Sequence, residues 1–261
     1  MEMNETVLIT GASSGIGLEL AKCFAADKSN LILVARNTAA LEALAADLRR
    51  EHDIDARVVT ADLSRPEAAT EIFEQTGRAG LTVDVLVNNA GFGLHGSFEE
   101  LPKGRQLEII QVNIAALVSL TGLFLPSMIK HRRGGILNVG SVAGFLPGPN
   151  MAVYYASKAF VLSFSEALHE ELVGSGVCVT NLCPGPTETN FSQVARSHRV
   201  REAHTDKMSA TSVARIGHKD FRNDQCLSVP GLQNIFLTAV ATKLLPRWAL
   251  RRFASRYNKL K

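Results

Sequence analysis

Short apolar runs alternate with amphipathic stretches from the start of this chain, and that alternation is the strongest constraint on its fold. Thr6–Thr10 (TVLIT) is apolar and ends in a glycine cluster, and Ile16–Ala26 then has helical periodicity. Leu31–Ala35 (LILVA) precedes a long helical pattern at Thr38–His52. Arg57–Thr60 and Val83–Asn88 follow as strands, with a helix near Pro66–Gln75 between them. Helical patterns at Gly104–Gln111 and Ile114–Ile129 lead to a strand at Gly135–Val139, a helix at Tyr155–Val173 and a strand at Val177–Leu182. Strands that are apolar throughout are buried on both faces, so the pattern predicts an α/β fold: a doubly wound parallel sheet in three α/β/α layers. No linker, repeat or low-complexity block interrupts the 261 residues, which read as a single domain. The pattern weakens from about Thr187. A polar flap is expected near residues 187–212, then an apolar and basic segment at 229–261 that Pro246 divides.

The glycine cluster lies between the first strand and the first helix. Thr10-Gly11-Ala12-Ser13-Ser14-Gly15-Ile16-Gly17 has the small residues that a tight turn needs. Such a turn brings backbone close to a pyrophosphate, and the free N–H groups and dipole of the following helix favour the anion. A dinucleotide site of the Rossmann type is therefore expected, with Gly11, Ser13, Ser14, Gly15, Ile16 and Gly17 in it. NAD sites usually place an acid about 20 residues further on, at the end of the second strand. Ala35 and Arg36 stand there instead. A guanidinium suits a 2′-phosphate, so NADP(H) is expected in preference to NAD(H).

Beyond these residues the chain resembles the short-chain dehydrogenase/reductase family, of the kind with about 250 residues. TGASSGIG at Thr10–Gly17, Asp62-Leu63, Asn88-Asn89-Ala90-Gly91, Asn113, Ser141, Tyr154 with Lys158, and Pro184-Gly185 carry the resemblance in chain order. The resemblance implies that Asp62 and Leu63 border the adenine and that Asn89, Ala90 and Gly91 lie beside the adenosine ribose. It places Pro184, Gly185 and Thr187 along the nicotinamide. It also implies that Asn113 holds a water linking Lys158 to solvent, and that the chain forms a homodimer or homotetramer.

The implied chemistry is hydride transfer between the nicotinamide and a carbonyl or secondary alcohol. A carbonyl that accepts hydride becomes an alkoxide and needs a proton. Tyr154 is the expected acid, and Lys158, one helical turn on, shares its face. A neighbouring ammonium is expected to lower the phenol pKa from about 10. Lys158 is also expected to bond the nicotinamide ribose. Ser141 is placed to donate to the substrate oxygen. Tyr155 has Ala159 at its fourth position and so lacks a lysine partner. The alternative is a nucleotide-binding regulatory protein that has lost its chemistry, whose mark would be degraded catalytic positions.

The substrate wall is expected from Gly91–Gly96, Val142–Met151 and Thr187–Thr211, with Phe92, Phe145, Leu146, Met151 and Phe191 making it apolar. His95 is read as a satisfied loop histidine near the cleft. No cysteine or histidine spacing suits a metal, and Cys23, Cys178, Cys183 and Cys226 are expected as thiols in a reducing compartment. With no apolar leader, and apolar stretches such as Ile114–Leu125 too short to span a bilayer, a cytoplasmic protein is expected. A net charge of +3 gives no reason to expect a nucleic-acid partner. Lys243–Lys261 carries seven basic residues and no acidic one among apolar residues that include Trp248 and Phe253. That segment is expected either to cover the core or to lie on an anionic membrane.

Overall fold

The computed structural model describes residues 5–189, 191 and 207–259. Seven parallel strands form the central sheet: β1 (Thr6–Thr10), β2 (Asn30–Ala35), β3 (Ala56–Thr60), β4 (Val85–Asn88), β5 (Gly135–Val139), β6 (Cys178–Leu182) and β9 (Leu227–Ser228). Their spatial order is β3-β2-β1-β4-β5-β6-β9. The order reverses between β1 and β4, which opens a crevice beyond the carboxyl ends of those two strands. A separate two-stranded ribbon pairs β7 (Thr187–Glu188) with β8 (Met208–Ser209).

Side chains alternate across each strand and feed two cores. Val7, Ile9, Leu31, Leu33, Val85 and Val87 face one layer, made by α1 (Gly15–Ala26), α2 (Thr38–His52) and α7 (Ala210–Arg222). Leu8, Ile32, Val34, Leu86 and Ile136 face the other, made by α3 (Ala68–Arg78), α5 (Ala116–His131) and α6 (Ala152–Glu171). The α1 face shows the spacing that drives this: Gly17, Leu20, Ala21, Phe24 and Ala25 are all buried.

Two expectations change. The helices predicted at Gly104–Gln111 and Ile114–Ile129 are one continuous run. In it α4 (Lys103–Ile110) passes through a π-turn at Gln111–Ala115 into α5. The 29 residues Lys103–His131 are long and apolar enough to cross a membrane, contrary to the estimate from Ile114–Leu125 alone. Ala116, Leu120, Phe124 and Met128 of this run are buried in the second core, and Phe124 meets Phe73 of α3 edge-on at 5.2 Å.

The second change is at the C-terminal side, where α7 and β9 were not expected. Ser209 caps α7 by accepting from the Ser212 N–H at 3.2 Å. Val213, Ala214, Gly217 and Phe221 of α7 are buried, and Phe221 meets Phe24 edge-on at 6.0 Å. Most of the expected flap (190 and 192–206) lies outside the described residues. The final segment runs through α8 (Leu232–Ile235), a π-turn at Phe236–Ala241 and α9 (Thr242–Leu244) to α10 (Arg247–Tyr257), with Pro246 as the α10 N-cap residue. Pro246 thus divides the segment as expected.

Candidate active site

The crevice beside β1 and β4 is the nucleotide end of one long cleft of about 1400 Å³. Gly11 and Gly15 at its floor have φ of +67° and +58°, a left-handed conformation that side chains resist. Gly17 does not line the cleft. A Cβ there would collide with the Gly11 carbonyl and the Asn89 amide, so Gly17 serves close packing beneath the loop. Asn89 ties the loop down: its Nδ2 donates to the carbonyls of Thr10 at 2.9 Å and Gly11 at 3.2 Å. Thr10 Oγ1 completes the clasp by accepting from the Asn89 and Ala90 N–H groups, each at 3.0 Å. Ser14 precedes α1 in extended conformation and its side chain makes no cap, so the first-turn N–H groups stay open to a ligand.

Arg36, Asp62 and Leu63 line the same end. Partial burial pushes the Asp62 carboxyl upward. The Ser64 N–H at 3.0 Å, the Ser64 hydroxyl and the charges of Arg36 and Arg65 outweigh it and hold the group below its usual value. Asp62 is therefore a charged acceptor. Arg36 is exposed at the end of β2.

Ser141, Tyr154 and Lys158 meet in the middle of the cleft with Gly91, Pro184, Gly185 and Thr187. The Ser141 hydroxyl accepts from the Ala143 N–H at 3.1 Å, and the Val142 N–H donates to Pro184 O at 3.0 Å. The second bond holds the ends of β5 and β6 together. Burial pushes the Tyr154 phenol up to about 12, against the lowering effect of its hydrogen bond with Ser141. Burial also brings Lys158 down to about 8. Lys158 was expected to lower the Tyr154 pKa. Burial dominates instead, with Nζ donating to Val139 O at 2.6 Å and lying 6.0 Å from the Tyr154 ring centroid.

Asn113 sits behind the cleft wall, in the π-turn. Its Nδ2 donates to Phe92 O and Ser157 Oγ, both at 3.0 Å, and its Oδ1 accepts from the Phe92 N–H at 3.1 Å. A Cβ on Gly91 would stand 3.1 Å from Asn113 Oδ1 and 3.6 Å from Lys158 Nζ. Asn113 thus locks the loop after β4 onto α6, beside Lys158. The π-turn is what aims it there: an extra residue in the turn rotates the chain locally.

Comparison with known proteins agrees with this geometry. The sequence profile of the short chain dehydrogenases matches residues 5–200. The chain belongs to the short-chain dehydrogenase/reductase family. Among curated relatives, a very-long-chain 3-oxoacyl-CoA reductase of Coprinopsis cinerea is 34% identical over 194 residues, 73% of this chain. The chain spans 57% of that enzyme's length. Among solved structures, a short-chain dehydrogenase from Sphingobium yanoikuyae in complex with NADPH superposes with a TM-score of 0.83. It is 34% identical and the match covers 92% of this chain and 93% of that one. A bulky-bulky ketone specific alcohol dehydrogenase from Comamonas testosteroni follows at 0.77, with 31% identity and coverage of 87% and 86%. The family's fold and its oxidoreductase class therefore apply here.

The far end of the cleft in this short-chain dehydrogenase holds the residues that sequence reasoning missed. Phe92, Leu146, Met151 and Phe191 line it as expected, but Phe145 does not; it packs on a small cluster around Ala143 and Tyr155. Phe236, Leu237, Leu245, Leu250 and Phe253 add a roof from the C-terminal segment. Asn258, just after α10, latches that roof. Its carbonyl accepts from His95 Nε2 at 3.0 Å and Asn150 Nδ2 at 2.9 Å, and its side chain accepts from the Tyr155 hydroxyl at 3.4 Å. His95 is thus buried and only half satisfied: Nε2 has its partner, but the buried Nδ1 has none, and burial lowers its pKa against the Asn258 bond. No local signal marks Asn258: its partners lie 103 to 163 residues away.

Proposed function

We infer that this protein is an NADP(H)-dependent oxidoreductase that interconverts an apolar carbonyl compound and its secondary alcohol. One observation carries the reading: Ser141, Tyr154 and Lys158 open onto the same cleft whose other end is the Gly11–Gly15 turn and the uncapped start of α1. The cradle fits a dinucleotide, since the turn has no Cβ at Gly11 and Gly15 and offers free N–H groups to a pyrophosphate. Gly11, Ser13, Ser14, Gly15 and Ile16 would hold the phosphates. Asp62, Leu63, Asn89, Ala90 and Gly91 would border the adenosine, and Pro184, Gly185 and Thr187 the nicotinamide. Arg36 supports NADP(H) over NAD(H), because no carboxylate occupies the end of β2 to repel a 2′-phosphate. When bound, the nicotinamide ring supplies or accepts the hydride.

The protein's own groups manage charge and protons. Ser141 donates to the carbonyl oxygen and stabilises negative charge as it grows. Tyr154, kept protonated by its high pKa, gives its proton to that oxygen. An alkoxide is a stronger base than this phenolate, so the transfer runs downhill. Lys158 then faces a tyrosinate and passes it a proton drawn from solvent, beside the loop that Asn113 braces. All four groups are intact, which disfavours an inactive binding protein. The apolar roof of Phe236, Leu237 and Leu250 supports a substrate with a bulky or extended hydrocarbon part, a 3-oxoacyl thioester or a hindered ketone. We further propose a cytoplasmic homodimer or homotetramer, and the exposed Val118, Ile129 and Phe160 on α5 and α6 support the self-association.

A panel of carbonyl compounds incubated with NADPH or NADH tests the reading by loss of the reduced cofactor's absorbance. Turnover with NADPH on apolar ketones or 3-oxoacyl thioesters is expected. Absence of turnover with every carbonyl class, in protein that binds NADPH, would overturn it.

A further inference from the structure

The C-terminal roof has an outer surface that the oxidoreductase reading leaves unused. Its inner face is spent on the cleft: Leu250 and Ala254 are buried there. Its outer face is apolar where burial would be expected. Leu232 is 85% exposed, Leu244 76%, Phe236 63% and Trp248 58%. Single exposed apolar residues are ordinary, but several on one short segment are not. Leu232 and Leu244 do not line the cleft, so substrate contact does not account for them. Around helix α10, Trp248, Arg252 and Arg256 lie opposite the buried Leu250 and Ala254, and Arg247 and Arg251 flank that buried pair; all five are exposed. No acidic side chain occurs after Asp224, and none among the described residues pairs with these arginines.

We propose that this surface docks on an anionic lipid bilayer, so that the apolar end of the cleft opens against the membrane. The chemistry fits one occupant. Apolar side chains enter the acyl boundary, a tryptophan sits at headgroup level, and arginines meet lipid phosphates. A second copy of the chain fits less well. Pairing this face with itself would bring two arginine sets together with no carboxylate to answer them. Phe236, Leu245 and Phe253 are at once half-exposed on this surface and part of the cleft lining. A hydrocarbon substrate dissolved in the bilayer would therefore enter past them without crossing water. This route rests on the proposed reading in taking the cleft as the substrate site. Docking is measured without turnover, so the two ideas can fail separately.

Trp248 is the chain's single tryptophan and reports directly on the surface. The full chain is mixed with phosphatidylcholine vesicles, with and without phosphatidylserine. A blue shift of Trp248 emission and co-sedimentation with the anionic vesicles alone, both reversed by high salt, are expected. The Leu232→Asp/Leu244→Asp variant should lower bound protein by about tenfold, with activity on a short water-soluble carbonyl unchanged. Arg251→Gln/Arg252→Gln should weaken binding to anionic vesicles in the same direction if the first variant fails to fold. Unshifted emission with the anionic vesicles overturns the proposal. So does a dimer in sedimentation velocity that the Leu232→Asp/Leu244→Asp variant dissociates while vesicles leave the wild type unbound, since the surface then belongs to a second copy.

Discussion

At the nucleotide end of the cleft the backbone of residues 10–17 does the shaping, whereas at the far end side chains from four separated segments do it. The first region depends on torsion and close approach. Gly11 and Gly15 take positive φ, Gly17 admits the Gly11 carbonyl, and Asn89 clamps the result. The second depends on which distant elements happen to pack together. Phe92 and His95 come from the loop after β4, Leu146 and Met151 from the stretch before α6, Phe191 from beyond β7, and the roof from α8–α10. Residues that shape a backbone leave a mark in a few consecutive positions. Residues that meet only across space leave none.

Substitutions can break or sharpen this contrast. The largest effect is expected between the two regions, at the reacting atoms. Tyr154→Phe should cut turnover by about a thousandfold, the scale of lost general acid catalysis, with NADPH binding unchanged in fluorescence titration. A weakened NADPH affinity of similar size would mean that Tyr154 belongs to the nucleotide region instead.

Lys158 comes next. Burial takes its pKa from 10.5 to about 8, so holding the ammonium at neutral pH costs about 3 kcal/mol. Lys158→Met should therefore raise stability by up to that amount at pH 7 while turnover is lost. The unfolded chain keeps its proton up to about 10.5 and the folded chain gives it up near 8, so wild-type stability from this group rises with pH between those values. The gap between wild type and variant should close over that window in denaturant titrations. A gap that stays constant or widens counts against a buried, strained ammonium.

A smaller effect is expected at the nucleotide end. Ala35→Asp with Arg36→Ser should lower the NADPH over NADH preference in kcat/KM by about 2 kcal/mol, the range of one charge-assisted contact. The smallest belongs to the far end. His95→Ala removes a bond to the Asn258 carbonyl worth about 1 kcal/mol, so KM for an apolar substrate should rise roughly fivefold. NADPH affinity should not move. If His95→Ala changes cofactor binding and leaves KM alone, the two ends are not independent regions.

The sheet through β6, its helices and the reacting residues were readable because each rests on a short-range rule. Unbroken apolar strands demand cover on both sides, and Tyr154 and Lys158 share a face by helical spacing. The misses were of another kind. β9 has two residues, too few for any periodicity. The α7 pattern of Val213, Ala214, Gly217 and Phe221 was present at helical spacing but lay next to a polar stretch that hid it. The π-turn at Gln111–Ala115 joins two helical patterns whose phases do not match, so the sequence read as two helices.

Taken alone, the sequence determined the layers of the fold, the glycine turn and the pairing of a phenol with an amine. All of these follow from backbone torsion and from neighbours within a turn or a strand. Tertiary structure decided the electrostatics and the substrate end. The Tyr154 and Lys158 pKa values are set by how much water the whole fold removes, and the roof exists because Asn258 reaches His95 across 163 residues. Desolvation and long-range packing are sums over the finished molecule, and no local stretch of chain contains them.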